Sequence, residues 1–538
     1  MVCIPGTNNT RLVFNLNESL PLIPPGQGLF STAPYHPFHL DTHPATDTLV
    51  GVPADVFANT PSASQYDAII IGSGPNGFAA AITLAQNKCS TLLIEARDTP
   101  GGGMRSRDDL TLPGFTHDVC SAVHPLAAAS PFFRSLPLES LGLKWIHPDL
   151  PLAHPLDHGR AAVMARSIPD TVAAFPSHDA DQYHSIFAPL ARNAPALLDE
   201  LLGPLPLPPK HPFLLARFGR HAIRSGVGFA THNFQSDEAR ALFAGNAAHS
   251  VLPLKNPLTA AVGMMLAVTG HHVGWPIAEG GSNQIANALT SHYLSLGGEI
   301  VCNHEVKSLA ALPDAKAILF NTSPKALAKI ASDQLPSSYR QKLTRYRYGP
   351  GVFKLDLALS HPIPWTAKAC RRAGTVHVGG TLEEIAASEQ DAWNNRISNK
   401  PFVLVAQQSV FDPTRAPASQ HTGWAYCHVP NGADADMTEP ILNQIERFAP
   451  GFRDTILASH PTSPAGYESY NPNFIGGDII GGAQDLPQLF TRPVARLNPY
   501  TTPNPKLYLC SAATPPGAGV HGMAGYHAAR TALAKHLT

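Results

Sequence analysis

The segment Tyr66–Arg97, YDAIIIGSGPNGFAAAITLAQNKCSTLLIEAR, constrains the fold of this chain most strongly. Its run Ala68–Ile71 is continuously apolar, which is typical of a parallel strand covered on both faces. The turn GSGPNG at 72–77 follows, then a helix, a second apolar strand and the acid Glu95. Glycines at this spacing allow a tight turn, close approach of a phosphate to the helix N-terminus, and close packing of helix on strand. The segment therefore predicts a βαβ unit that binds a dinucleotide, with Glu95 on the ribose hydroxyls.

Length and charge exclude several classes of protein. The chain has 538 residues, which by length alone suggests roughly two to four domains. Its net charge of −1 provides no basic field, so we expect no nucleic-acid partner. No apolar run reaches the roughly 20 residues that span a bilayer, and the longest, Thr259–Thr269, predicts a buried helix.

The cysteines are seven, scattered along the chain, and form no C-x-x-C pair. This pattern indicates neither a zinc site nor a redox-active dithiol, and it favours a reducing compartment. The chain has 26 histidines, but none lies in a convincing metal-binding pattern with an acid, so we predict no metal site. We therefore expect a cytoplasmic protein. The proline-rich residues 1–64 are interpreted as an N-terminal extension.

Features of a nucleotide fold occur in three separated parts of the chain. A second glycine loop, PGGGMRS at 100–106, follows the first unit, and three consecutive glycines allow close backbone approach to a ligand. The second part with nucleotide-fold features begins at Gly280–Ser282, where Ser282 is a plausible N-cap of the helix that follows. Two strand-like runs come after that helix. The last is the C-terminal stretch, in which GAGVHG at 517–522 lies between a strand and a small-residue helix.

The C-terminal GAGVHG is formally another dinucleotide turn, but no second strand and acid follow it. A glycine-rich helix start suits a flavin instead, because its positive end can face the ring edge where negative charge accumulates on reduction. We predict an α/β fold with a Rossmann-like FAD-binding domain that is discontinuous in sequence and carries an inserted α+β substrate domain. The FAD-binding domain is expected at 65–160, 271–335 and 500–538, and the substrate-binding domain at 161–270 and 336–499.

The chain resembles the phytoene desaturase-like FAD-dependent oxidoreductases, and within them the branch of pyridine nucleotide-disulphide oxidoreductase domain-containing proteins. The motifs that carry this resemblance run from residue 66 to the C-terminus: GSGPNG with IEAR, PGGGMRS, WPIAEGGSNQIANAL (275–289), QLFTRP (488–493) and YLCSAATPPGAGVHGMAGYHAA (508–529). The resemblance implies FAD as cofactor. It implies contacts to the pyrophosphate, ribose, adenine and flavin from Gly72, Ser73, Gly74, Asn76, Gly77, Glu95, Arg97, Gly101, Gly102, Gly103, Met104, Arg105, Val306, Gly519, Val520, His521 and Met523.

Catalytic residues are difficult to identify, because the flavin performs the difficult step of a dehydrogenation. His521 is our candidate for acid–base or flavin-tuning work, since histidine titrates near neutrality; a histidine that merely packs locally is the alternative. Arg492 and Tyr500 are candidates for the substrate side.

The expected activity is desaturation or isomerisation of a lipophilic, carotenoid-like polyene, with hydride transfer to flavin N5 and oxygen or a quinone as electron acceptor. Two alternatives remain: a flavoprotein that acts as a redox-linked regulatory or interaction protein, and an amine-oxidase-type flavoenzyme. The segment Leu205–Arg224 mixes apolar and basic residues, so it predicts either a peripheral membrane contact or the solvated face of a core helix.

Overall fold

The computed structural model describes residues 57–58, 60–204 and 208–537, which belong to one unit spanning 46–538. Residues 1–56 of the predicted N-terminal extension lie outside the described residues. The strands are β1 (Gln65–Ile71), β2 (Thr91–Ile94), β3 (Ser106–Arg107), β4 (His117–Asp118), β5 (Trp145–Ile146), β6 (Leu150–Pro155), β7 (Ala161–Met164), β8 (Ile277–Ala278), β9 (Glu299–Val301), β10 (Asp314–Phe320), β11 (Gly351–Leu359), β12 (Ala373–Val378), β13 (Val403–Ala406), β14 (His421–Val429), β15 (Ile456–Thr462) and β16 (Leu507–Leu509).

The helices lie between these strands and at the C-terminus. They are α1 (Pro75–Gln86), α2 (Pro125–Ala129), α3 (Pro131–Arg134), α4 (Ile168–Val172), α5 (Ser177–Arg192), α6 (Ala194–Leu201), α7 (Pro212–Ala222), α8 (Gly226–Asn233), α9 (Asp237–Ala248), α10 (Thr259–Val273), α11 (Asn283–Ser295), α12 (Pro324–Ile330), α13 (Ser337–Thr344), α14 (Leu382–Trp393), α15 (Gln408–Phe411), α16 (Thr438–Phe448), α17 (Pro464–Tyr470), α18 (Leu486–Leu489) and α19 (Met523–His536).

The opening motif forms the centre of a five-stranded parallel sheet with the order β16-β10-β1-β2-β9. The apolar runs Ala68–Ile71 of β1 and Thr91–Ile94 of β2 are fully buried, as expected for parallel strands covered on both faces. One face packs against α1, α11 and α19, and the other against α12 and α13. The sheet therefore draws strands from residues 65 to 509, and the prediction of an α/β fold with a Rossmann-like unit is confirmed.

A second, seven-stranded sheet has the order β15-β11-β14-β13-β12-β6-β7. It is antiparallel except for the parallel pair β12–β6. One face is covered by α16, and the other by helices that include α9 and α10. The longest apolar run lies in α10, whose buried residues place it inside this helical layer, as predicted.

The structure corrects two local expectations. Strand β6 belongs to the second sheet, so the first portion of the dinucleotide domain ends before residue 150 rather than at 160. Ser282 precedes α11, but its hydroxyl does not cap that helix. It donates instead to the Ser121 carbonyl at 2.6 Å, which ties the start of α11 to the loop after β4.

Candidate functional site: a two-ended cavity

The first end of the site is the turn between β1 and α1. A Cβ atom on Gly77 would lie 1.9 Å from the Gly72 carbonyl oxygen, so no larger residue fits there without moving the turn. The absence of side chains brings the helix start against the strand end and leaves backbone N–H groups at the cavity wall. This is the arrangement that binds a pyrophosphate.

Glu95 follows β2 at the same edge of the sheet and is held by several donors. Its carboxylate accepts the Ser73 N–H at 3.0 Å, the Ser73 hydroxyl at 2.5 Å and the Arg97 N–H at 3.0 Å, and it lies 3.3 Å from the Arg105 guanidinium. Burial alone would raise the pKa of this carboxyl, but Arg105 and the donated hydrogen bonds outweigh burial and lower it. Glu95 is therefore a charged acceptor fixed in the cavity wall.

The second glycine loop lies directly on the first. A Cβ atom on Gly102 would be 2.8 Å from the Gly74 Cα, and the Gly101 N–H donates to the Ser73 hydroxyl at 3.1 Å. Arg105, which the resemblance implies as a cofactor contact, is ion-paired with Glu95 and donates to the Thr99 carbonyl. Much of its charge is therefore already balanced within the protein.

The C-terminal motif closes the site from the other end of the chain. Helix α19 crosses α1 so closely that a Cβ atom on Gly525 would be 1.8 Å from the Asn76 carbonyl oxygen. In the preceding loop His521 is fully buried, its Nδ1 accepts the Met523 N–H at 3.0 Å, and its carbonyl accepts from Ser130 at 2.6 Å. Burial lowers the pKa of His521 to about 4, although nearby carbonyls of Ala518 and Gly517 act in the opposite direction. The ring is therefore neutral at physiological pH.

Arg492 and Tyr500 do not line the cavity, contrary to the expectation that they face the substrate. The Arg492 guanidinium donates to the Ala512 carbonyl at 2.7 Å, and the Tyr500 hydroxyl donates to the Pro515 carbonyl at 3.0 Å. Both side chains are buried behind the C-terminal glycine loop. They hold that loop in place, which is a positioning role.

One cavity of about 520 Å³ connects these elements to the second sheet. Thirteen of the sequence-predicted cofactor residues line it: Gly72, Ser73, Gly74, Asn76, Glu95, Arg97, Gly102, Gly103, Arg105, Val306, Gly519, Val520 and His521. The other four, Gly77, Gly101, Met104 and Met523, lie behind this wall. Val306 and the C-terminal loop therefore line the same cavity as the two glycine turns.

The other end of the cavity was not predicted from the sequence. It is bounded by α10, through Val262, Met265 and Leu266, and by Leu404 and Ala406 of the second sheet. Aromatic and polar side chains complete it: Trp275, Trp424, Tyr426, His249 and Thr375. Only the apolar character of α10 was evident beforehand, because alternation in single strands does not show which face meets a ligand.

His124 is a further residue of the cavity wall that sequence reasoning did not select. Its Nε2 donates to the Ser282 hydroxyl at 2.9 Å, because that hydroxyl already donates to the Ser121 carbonyl. Its Nδ1 is buried and has no hydrogen-bond partner within the described residues. Burial lowers the pKa of His124 to about 4, so the bare Nδ1 is an acceptor available to a ligand.

A buried ionic cluster joins the two ends of the site. Arg415 lies 3.0 Å from both Asp118 and Asp412, and all three side chains are fully buried. Lys354 of β11 pairs with Asp356 at 2.6 Å and donates to the Asp118 carbonyl at 2.8 Å. The cluster fixes β4 and the loop after it, which reaches the cavity, against the second sheet.

The donors and spaces of this site fit FAD. The glycine turns provide a side-chain-free wall for a pyrophosphate, and Glu95 provides a fixed carboxylate beside it. Near the C-terminal loop the cavity has an unpartnered acceptor on His124. Among the described residues no group of three or more histidine, cysteine or acidic side chains could hold a metal ion.

Comparison with known proteins agrees with this geometry. The family model described as an NAD(P)-binding Rossmann-like domain matches residues 70–136. Among solved structures, putrescine oxidase superposes with a TM-score of 0.58 at 17% sequence identity, covering 87% of this chain and 98% of that one. The chain thus shares the fold of putrescine oxidase, and the prediction of FAD as cofactor is confirmed.

Two relatives are similar to this chain in sequence over most of their length. Pyridine nucleotide-disulfide oxidoreductase domain-containing protein 2 of Mus musculus is 24% identical over 86% of this chain and 93% of its own length. The lycopene-forming phytoene desaturase of Pseudescherichia vulneris is 23% identical over 85% of this chain and 96% of its own length. The resemblance drawn from the sequence motifs is confirmed by these matches.

Proposed function

We propose that this chain is an FAD-dependent oxidoreductase that desaturates or isomerises a lipophilic, polyene-like substrate. The observation that carries the proposal is the continuity of one cavity from the glycine-rich dinucleotide wall to a chamber formed by apolar and aromatic side chains. Val262, Met265 and Leu266 of α10, which can exclude water and hold an apolar chain, line the same cavity as the C-terminal loop Gly519–His521. The similarity to a phytoene desaturase supports the substrate class.

The chemistry balances without a further protein reactant. In a desaturation two C–H bonds on adjacent carbons break and a C=C bond forms. One hydrogen leaves as a hydride, and the other leaves as a proton that passes to the solvent. FAD, when bound, supplies the hydride acceptor at N5, and oxygen or a quinone then removes the two electrons. An isomerisation transfers no net electrons.

The residues of the chain tune the flavin environment and exclude water from the substrate. The C-terminal loop carries His521 at the cavity, where we propose that the neutral imidazole tunes the flavin environment rather than removing a proton. Because its Nδ1 accepts the Met523 N–H, the ring is held in one orientation. The walls of Val262, Met265 and Leu404 exclude water from the reacting carbons.

An amine-oxidase-type activity is the second candidate, favoured by the similarity to putrescine oxidase. The chamber argues against a diamine, because its described lining residues at the second-sheet end include no carboxylate. The acids that line the cavity, Glu95 and Glu305, lie at the dinucleotide end. A second ammonium group would therefore have no counter-charge there.

Anaerobic reduction of the purified yellow protein tests the proposal. We expect a long-chain polyene that is desaturated to bleach the visible flavin absorbance, and one that is isomerised to change its own absorption spectrum without bleaching. A primary amine or a diamine should cause neither change. Bleaching by amines only would replace the proposal with the amine-oxidase activity. Absence of flavin absorbance from the folded protein would refute the cofactor assignment, and tight binding of a protein partner without reduction by any small molecule would favour a regulatory role.

We also propose a peripheral membrane contact through α7, which would give a lipophilic substrate a route to the chamber. Helix α7 packs against α10, and it exposes Phe213 at 91% and Ile223, just after it, at 64%. The exposed Arg217 and Arg220 lie between them. Exposed apolar side chains beside arginines are typical of a helix that lies in an anionic lipid interface. Among the described residues no helix is long and apolar enough to cross a membrane.

Cosedimentation with vesicles of mixed anionic and neutral lipids tests this contact. We expect the variant F213S/I223S to lose most of the vesicle-bound fraction. The control L457S removes another exposed apolar side chain, on the edge strand β15, and should bind like the wild type. Equal binding by F213S/I223S and L457S would contradict the proposal.

A further inference from the structure

The far end of the cavity contains a histidine pair that the proposed reaction does not use. His249, at the end of α9, lies with its Nε2 3.0 Å from the Nε2 of His377 on β12. His377 is fully buried, while His249 lines the cavity and is partly exposed to it. Trp275 packs edge-on against both rings at 5.7 Å. The pair is therefore rigid, and one of its rings faces the ligand space.

The hydrogen bond between His249 and His377 determines the tautomer of each ring. Only one of the two facing Nε2 atoms can carry a hydrogen when both rings are neutral. The other nitrogen of His377, Nδ1, is buried without a partner and packs on Gly245, where a Cβ atom would lie only 2.6 Å away. An unpartnered N–H at that place would cost more than a bare nitrogen. His377 thus carries its hydrogen on Nε2 and donates it to His249.

The remaining hydrogen of His249 then lies on Nδ1. Burial lowers the pKa of both rings, of His249 to about 3, so neither gains a second proton near neutral pH. His249 therefore offers one neutral N–H donor to the cavity.

A second unpartnered group lies on the same wall. Thr375 is two residues before His377 on β12, lines the cavity and is 4% exposed. Its hydroxyl has no hydrogen-bond partner within the described residues. A buried hydroxyl without a partner destabilises a protein unless a ligand or water satisfies it. The rest of this end of the cavity is formed by apolar and aromatic side chains, among them Val262, Leu266 and Tyr426.

We propose that this end of the cavity binds a neutral oxygen group, a hydroxyl or carbonyl, at the terminus of the lipophilic substrate. The inference rests on the proposed function and narrows its substrate class from a pure hydrocarbon to an oxygenated one. The N–H of His249 donates to that oxygen, and the Thr375 hydroxyl donates or accepts beside it. A hydrocarbon terminus leaves both groups unpaired. A carboxylate finds no cation, because the arginines that line the cavity, Arg97 and Arg105, lie at the dinucleotide end.

Binding of three probes that differ at one terminus tests the proposal on the flavin-loaded full-length chain. The probes are a C20 conjugated pentaene alcohol (retinol), its deoxy hydrocarbon (axerophtene) and its carboxylic acid (retinoic acid), each presented in the same detergent. Trp275 and Trp424 line the cavity, so quenching of tryptophan fluorescence reports occupancy without requiring turnover. We expect the alcohol to bind about 10-fold more tightly than the hydrocarbon, as two neutral hydrogen bonds provide, and the acid to bind no better than the hydrocarbon.

Four variants separate recognition from stability. T375V and H249Q should each weaken alcohol binding about 3- to 10-fold and leave hydrocarbon binding unchanged. In H249Q the glutamine amide reaches the Nε2 position and keeps a hydrogen-bond partner for His377. In H249N the asparagine amide keeps a donor at the Nδ1 position, so this variant should retain the preference for the alcohol. The control T422V removes another unpartnered buried hydroxyl of the second sheet, one that does not line the cavity, and should change neither affinity.

The outcomes distinguish this inference from the proposed function. Equal binding of alcohol and hydrocarbon by the wild type, or equal weakening of both by T375V, overturns the oxygen site and leaves a lipophilic cavity. Tightest binding of the acid overturns the neutral-group assignment. Binding of none of the three probes overturns the lipophilic substrate class itself, and this inference with it.

Discussion

The two ends of the cavity are built on different principles. At the dinucleotide end the wall is backbone, and crowded glycines determine its shape: a Cβ atom on Gly77 or Gly525 would lie within 2 Å of a carbonyl oxygen. At the substrate end the wall is side chain, contributed by α10, α9 and three strands of the second sheet. A side chain at Gly77 or Gly102 would collide with backbone atoms of the first end, whereas the shape of the second end depends on which side chains are present.

The largest expected effect is at the backbone wall. G77A places a methyl group 1.9 Å from the Gly72 oxygen, so the turn must shift away from the helix start. We expect the flavin content of the purified variant, measured by absorbance per chain, to fall at least about 10-fold because the phosphate-binding backbone is displaced.

G103A is the matched control for this prediction. Gly103 also lines the cavity, but a Cβ atom there meets nothing closer than 3.7 Å. Its flavin content should equal that of the wild type. If G77A binds flavin as well as G103A does, the steric account of this end is wrong.

The next effect concerns the ionic cluster that fixes the two ends together. R415Q leaves Asp118 and Asp412 as buried carboxylates without their cation, which should cost about 3–5 kcal/mol of the free energy of unfolding. R396Q removes an ion pair with Asp391 from a side chain that is 62% exposed, and should cost less than about 1 kcal/mol. Urea unfolding measures both. Equal losses would show that the cluster contributes no more than a surface pair.

A smaller effect is expected on the free energy of unfolding at acidic pH, to which Glu95 at the dinucleotide end contributes. The folded pKa of this carboxyl is lowered, so its charged form stabilises the fold above the unfolded pKa near 4.3. That contribution is lost as the pH falls through the lower folded value. We expect the unfolding free energy of the wild type to fall on acidification below about pH 5, and that of E95Q to fall less steeply. Parallel pH curves for the two proteins would contradict the prediction.

The smallest effect is expected at His521, where the two ends meet. Because its folded pKa is about 4, the ring stays neutral across the physiological range. The rate of flavin reduction by substrate should therefore show no ionisation from His521 near the ordinary histidine pKa of about 6.5. H521N, which can still accept the Met523 N–H, should keep the flavin and the same pH profile. A wild-type ionisation near neutrality that disappears in H521N would instead identify His521 as an acid–base catalyst.

The dinucleotide end of the cavity could be predicted from the sequence, whereas the substrate end could not. The unit β1–α1–β2 and the glycine-rich C-terminal motif were evident, because each requires particular residues at fixed spacing. The boundary at β6 was misplaced, since its parallel pairing with β12 is a contact across more than two hundred residues. Arg492 lay in a recognisable motif, yet its side chain turned toward the Ala512 carbonyl and away from the ligand. A motif marks a position but does not state which way its side chain points.

The sequence by itself determined that a strand, a glycine turn, a helix and an acid would form a dinucleotide site, because backbone sterics allow few alternatives there. It also determined that the chain's last segment would complete that site. Only the tertiary structure brought His249 within 3.0 Å of His377 and set Thr375 on the same wall. That juxtaposition depends on packing α9 against the second sheet, a long-range contact that no local pattern encodes.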